Sequence, residues 1–162
     1  MKPEKQVQPV LDFNIEPFDQ WVDEVIAQCA TWWDDSKFYK DSGIEYNISK
    51  EFFKSVEASL LGIMGRDKDG KLGAFYLGSV QPFMFNHEIS QCSEIVWNIH
   101  DDLQGGQVLS ELLISVDAFM RINNIDIWSV SLPNEDRYIR TGKTLKKYNY
   151  QLQDLQYMRY NN

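Results

Sequence analysis

Residues 93–113, SEIVWNIHDDLQGGQVLSELL, carry an extended apolar stretch through an acidic turn and two adjacent glycines into an apolar repeat of helical spacing. After the glycines, Val108, Leu109, Leu112, Leu113, Val116 and Met120 recur three and four residues apart, the period of one helix face. Before them, β-branched and aromatic residues dominate, as in a strand. The order strand, glycine turn, helix makes the middle of the chain a β–α unit, and such a helix has to be buried on a sheet. It also leaves main-chain N–H groups at a helix start without intrahelical acceptors, next to residues that have no side chain, which is a setting for an anion.

The remaining chain supplies the rest of such a sheet. Phe18, Trp21, Val22, Val25, Ile26, Cys29, Trp32 and Trp33 follow Pro17 at spacings that predict an amphipathic helix, and PVLDFNI before it reads as a short strand. SKEFFKSVEASL predicts a second helix. LLGIMG and LGAFYLGSV flank RDKDGK and read as a β-hairpin. Beyond the central helix, IDIWSVSL predicts a strand, DRYIRTGKTLKKY a helix, and YQLQDLQYMRY a terminal strand. The expected order is β-α-α-β-β-β-α-β-α-β.

The chain has 162 residues, with 43% hydrophobic and 25% charged, which fits one domain spanning 1–162 with residues 1–9 as a flexible lead-in. No repeat or low-complexity linker divides it. Cys29 and Cys92 fall in a helical and an extended segment without a CxxC or His/Cys partner set, so both read as reduced core residues and no metal is expected. His87 and His100 have nothing near them in sequence to complete a ligand set. No apolar run reaches the roughly 18 residues of a membrane span, and no signal-peptide core is present, which gives a cytoplasmic expectation without membrane contact. The NIS sequon at 47–49 has no meaning in that setting. A formal charge of -8 argues against nucleic acid as a partner and favours cationic ones. TGKT at 141–144 is not a P-loop, because Arg137 stands where the first glycine of that motif would be.

The string SEIVWNIHDDLQGGQVLSELL resembles the central strand, pyrophosphate loop and following helix of the GNAT family of acetyl-CoA-dependent N-acetyltransferases. Glu94 falls at the family's strand glutamate, and Gln104-Gly105-Gly106 at its glycine loop. DKDGKLGAFYLGS resembles the family's hairpin around a D-x-x-G turn, and LKKYNYQLQDLQYMRY its last helix and terminal strand. The aromatic-rich FYLGSVQPFMFNHE is most similar to the acetyltransferase-like proteins of tailed bacteriophages. The resemblance implies an α/β (α+β) GNAT-like fold, with a central mixed, mostly antiparallel sheet of six to seven strands and helices on both faces.

It also implies a site. The pyrophosphate of acetyl-CoA would rest on N–H groups of Gly105, Gly106, Gln107, Val108 and Leu109 beside Gln104, and the pantetheine arm would pair with the strand at Trp97, Asn98 and Ile99. An N–H near Trp97 or Asn98 would polarise the thioester carbonyl. Glu94 would be the base that deprotonates an amine acceptor, with Tyr148 or Tyr138 as a substitute acid. Strand alternation alone sets Glu94, Val96 and Asn98 on one face and Ile95, Trp97 and Ile99 on the other.

Several positions depart from the family pattern. No lysine or arginine occurs between Lys71 and Arg121, while Glu88, Glu94, Asp101, Asp102, Glu111 and Asp117 do. Each aspartate of the pair, at roughly 6–8 Å from a phosphate and an effective dielectric near 20, opposes binding by about 2 kcal/mol per phosphate charge before screening, against about 0.3–2 kcal/mol from a helix terminus. Arg137, Arg140, Lys143 or Lys146 would have to supply the difference. Leu109 stands where members carry a small residue and is expected to crowd the cofactor. Tyr138 and Leu145 replace the family's Asn and Tyr, and Asn149 its glycine. Two expectations follow: an N-acetyltransferase acting on a primary amine of a small molecule or protein, or a GNAT-fold chain that has lost the reaction and serves as a structural or binding component, in a phage particle or as an inhibitor of a host protein; separately, the aromatic content leaves room for a homodimer or a protein partner.

Overall fold

The computed structural model describes residues 10–133 and 135–153. Its sheet has five strands among the described residues, in the order β1 (Asp12–Ile15), β2 (Leu60–Arg66), β3 (Leu72–Phe83), β4 (Asn86–Ile99), β5 (Ile127–Trp128). The first four pair antiparallel, and β4 meets β5 in parallel. The mixed, mostly antiparallel architecture is the one expected, with fewer strands. Residues 151–153, the start of the expected terminal strand, do not pair into the sheet, and 154–162 lie outside the described residues.

Helices cover both faces. α1 (Phe18–Asp35) and α3 (Lys50–Val56) lie on one, and α4 (Gly106–Ile122) and α5 (Ile139–Lys147) on the other. The alternation of β3 divides the core between them: Phe75 and Leu77 pack with Trp21, Val22, Val25 and Phe53, while Ala74 and Tyr76 pack with Leu112, Leu113, Val116 and Met120. Cys29 and Cys92 are free and buried, one in each half.

Between α1 and α3 the chain adds α2 (Lys37–Ser42), which the sequence reading does not contain. Buried Ser36 makes it by accepting from the Tyr39 N–H at 3.0 Å, and Gly43 ends it at φ 63°. The β2–β3 turn is as expected: Asp67 Oδ1 accepts from the N–H of Asp69 and Lys71 at 2.9 and 3.0 Å, and Gly70 takes φ 82°. Arg66, at the end of β2, ties this turn to α1 by donating to Glu16 at 2.7 and 2.8 Å, to Glu24 at 2.8 Å and to the Gly70 carbonyl at 2.8 Å.

β3 and β4 run on past both neighbours into a hairpin arm ending in Met84 and Phe85, which are 71% and 79% exposed. At the other end of β4 the sheet opens, because only Gln91–Ile127 and Cys92–Trp128 pair β4 with β5.

Candidate active site

β4 pairs with β3 in one register up to Glu94 opposite Gly78, and resumes with Val96 opposite Leu77. Ile95 is therefore a bulge, and it reverses the faces expected for the preceding residues. Glu94 lies on the α4/α5 face with Cys92, Trp97 and Ile99, whereas Val96 packs against the α1 cluster and the Asn98 side chain donates to Gln28 Oε1 of α1 at 3.3 Å. The main chain follows the same alternation. The His100 N–H donates to the Gly73 carbonyl of the β3 side at 2.8 Å, so the N–H and C=O of Ile99 and Trp97 point away from β3, into the opening, and those of Asn98 point back to β3. Of the two expected carbonyl-polarising donors, Trp97 faces the opening and Asn98 does not.

Past β5 the chain keeps beside β4 without a main-chain ladder. Ser129 N–H still reaches the Cys92 carbonyl at 3.2 Å, and then side chains take over. The Glu94 N–H donates to Ser129 Oγ at 3.1 Å. Ser131 donates its N–H at 2.7 Å, and its hydroxyl, to Glu94 Oε2. The Trp97 indole donates to the Ser131 carbonyl at 2.8 Å. Beneath them the buried Tyr76 hydroxyl donates to the Ser129 carbonyl at 2.9 Å, and burial holds its ionisation far above the usual tyrosine range. Burial also pushes the Glu94 carboxyl above its ordinary value, and the two Ser131 donors pull it partly back.

The opening leads to the start of α4. His100 and a 3-10 turn, Asp101–Leu103, bring the chain to Gly105 and Gly106. A Cβ on either glycine would meet nothing within 4 Å, and Gly105, at φ 175°, is in extended backbone open to any residue. Neither strain nor the protein's own packing asks for glycine here, so a side chain would fill only the space before the helix. No side chain caps α4, which leaves first-turn N–H groups, those of Gly106 and Val108 among them, without an intrahelical acceptor.

Two expectations for this loop are corrected. Leu109 does not crowd the space: its side chain is 7% exposed and belongs to the core beside Val108 and Leu112. Its N–H closes the first turn on the Gly105 carbonyl at 3.2 Å and is spent, so the available donors begin and end earlier than 109. Gln104 donates to Asp101 Oδ1 at 2.8 Å, and Gln107 to Glu111 Oε1 at 2.9 Å. Asp102 lies 3.5 Å from His100 Nδ1. Arg140, Lys143 and Lys146 are exposed on α5, which also contains TGKT.

Tyr148 caps the C-terminal end of α5 through its own N–H, and its half-buried ring packs on the core under α4. Leu145, at the family's tyrosine position, is a core residue. Trp32 and Trp33 form an aromatic group with Tyr39 and Tyr46 at the end of α1. Among the described residues, no group of three or more His, Cys, Asp or Glu could hold a metal, and no helix is long and apolar enough to cross a membrane. Tyr76, Ser129 and Ser131 join this group without a motif of their own; the serine alternation in IWSVSL is the signal for the last two.

No protein-family model matches the sequence, and no curated protein sequence does. Solved structures do match. An aminoglycoside acetyltransferase from an uncultured soil metagenomic sample superposes with a TM-score of 0.71 at 8% identity, covering 94% of this chain and 99% of that one. Glucosamine-6-phosphate N-acetyltransferase from Arabidopsis thaliana gives 0.64 at 7% identity, with 94% and 99% covered. Ribosomal-protein-alanine N-acetyltransferase from Brucella melitensis biovar Abortus 2308 gives 0.65 at 12% identity, with 94% and 99% covered. The chain thus has the α/β fold of GNAT-type acetyltransferases over nearly its whole length.

Proposed function

We propose that this chain is an N-acetyltransferase that moves an acetyl group from acetyl-CoA to a primary amine. One observation carries the reading: the opening beside β4 brings together the half-buried Glu94 carboxylate, the outward main-chain groups of Trp97 and Ile99, and an uncapped helix fronted by two glycines. The fold it shares with solved acetyltransferases supports the same reading.

The residues present fit the coenzyme's parts. N–H groups of α4's first turn, with Gly105 and Gly106 allowing close approach, suit a pyrophosphate, and the edge of β4 at Trp97 and Ile99 suits an extended amide-bearing arm. As substrate, acetyl-CoA supplies the activated acetyl group. Glu94 takes a proton from the acceptor's ammonium, directly or through water, and frees the nitrogen lone pair for attack on the thioester carbonyl carbon. The Trp97 N–H donates to the carbonyl oxygen as negative charge gathers there. The N–C bond forms, the C–S bond breaks, and the departing thiolate takes a proton, for which we assign the Tyr148 hydroxyl; the nitrogen's second proton leaves through water and restores that hydroxyl, while Glu94 returns its own proton to solvent. The charge of -8 favours a cationic acceptor, small molecule or protein. The likeness to phage acetyltransferase-like proteins rests on the sequence strings alone.

Calorimetric titration with acetyl-CoA, followed by thiol release assays over a panel of primary amines, tests the reading. Binding with turnover is the expected result; no heat at millimolar acetyl-CoA overturns it and favours a chain that keeps the fold for binding alone.

A further inference from the structure

The opening beside β4 is crossed by side chains from two residues of that strand, and both end on Ser131. Glu94 receives the N–H and hydroxyl of Ser131, and the Trp97 indole N–H donates to its carbonyl at 2.8 Å. Both crosspieces lie beyond Cys92, where main-chain pairing with β5 has ended. They differ in strength: the Glu94 pair joins two donors to a charged acceptor, whereas the Trp97 bar is one hydrogen bond between neutral groups. Trp97 also plays two parts that conflict. Its main chain faces the opening as a free rung, while its side chain spans the same opening on the α4/α5 face. An extended guest at strand spacing, about 4.8 Å from each side, would use the first and run against the second.

We propose that Trp97 and Ser131 form a latch over the acyl-donor groove: the indole bar to the Ser131 carbonyl closes the groove and lets go when the pantetheine arm pairs with β4. The Glu94–Ser131 bonds, at the narrow end, stay made and keep the carboxylate in place. This rests on the acetyl-CoA reading above and assigns its gate. The cost of opening is met from the coenzyme's own binding, so a chain without the bar binds more tightly.

The test uses the full-length protein labelled with 15N, with the Trp97 indole signal assigned through bonds in the wild type and CoA as the probe. CoA is expected to shift that signal, and Trp97→Phe, which keeps a ring on the core but has no N–H, is expected to bind CoA about three- to tenfold more tightly by calorimetry. Binding by Trp97→Phe alone would also support the latch. An unmoved indole with equal affinity in both proteins would overturn the latch and leave the acetyltransferase reading standing. No binding by either protein would overturn both. The wild-type indole signal keeps the test valid should the variant fail to fold.

Discussion

Ser131 gives both its main-chain N–H, at 2.7 Å, and its hydroxyl to one carboxylate oxygen of Glu94, across a gap that no main-chain rung spans. The carboxylate thereby serves as a tie between β4 and the chain after β5 while its environment disfavours its charge. Burial is the larger influence, and it raises the Glu94 pKa.

Replacing Glu94 by Gln separates these roles. The amide oxygen still accepts from Ser131, so the fold is kept, while acetyl transfer falls about 10²- to 10⁴-fold for want of a base. A glutamate raised in the fold contributes stability that is fully present below its unfolded pKa and is lost as pH rises through the folded one. Melting curves from pH 4 to 8 are expected to show Glu94→Gln equal to or above wild type at neutral pH, with wild type gaining relative to it as the pH falls. The acid limb of wild-type kcat/KM is expected above the ordinary glutamate range.

Gly105→Val and Gly106→Ala place side chains in open space, so their melting temperatures stay near that of wild type. Acetyl-CoA affinity is expected to fall at least about tenfold, because a Cβ then occupies the approach to the α4 N–H groups. Calorimetry alongside thermal melts reads both.

The aspartates before the glycines oppose an anionic guest. Asp101→Asn and Asp102→Asn are each expected to tighten CoA binding by about three- to tenfold at low ionic strength, with the gain shrinking as salt is added. A salt series of binding isotherms measures it.

Arg66 is 20% exposed and holds Glu16 through both carboxylate oxygens. Arg66→Ala leaves Glu16 without that partner and is expected to cost about 2–3 kcal/mol in urea unfolding. Arg66→Lys recovers only part of this, since one ammonium cannot reproduce the planar fork.

Periodicity made much of this fold legible. α1, α4 and α5 are amphipathic, and the Asp67–Gly70 turn announces its hairpin. α2 was not legible, because six residues carry no period and Ser36 and Gly43 define them from outside. IDIWSVSL reads as a full strand, yet only Ile127 and Trp128 pair: after the Ser129 N–H reaches the Cys92 carbonyl, the bonds to β4 run through the side chains of Ser129, Glu94 and Trp97. The bulge at Ile95 has no signature in SEIVWNI, and it is what turns Glu94 to its observed face. The glycine turn is legible in the sequence itself and Glu94 is singled out by family resemblance, whereas Ser131, which has meaning only opposite Glu94, needs the fold.

The two-rung junction of β4 with β5 has a dynamic corollary. Strands β1 to β4 form a continuous antiparallel sheet that does not depend on it, so the segment carrying β5 and α5 is expected to open as a separately docked flap with its own, smaller opening free energy. Amide protons of β5 and α5 should therefore trade with deuterium sooner than those of β2 and β3, and this segment should be the first to detach when denaturant is added.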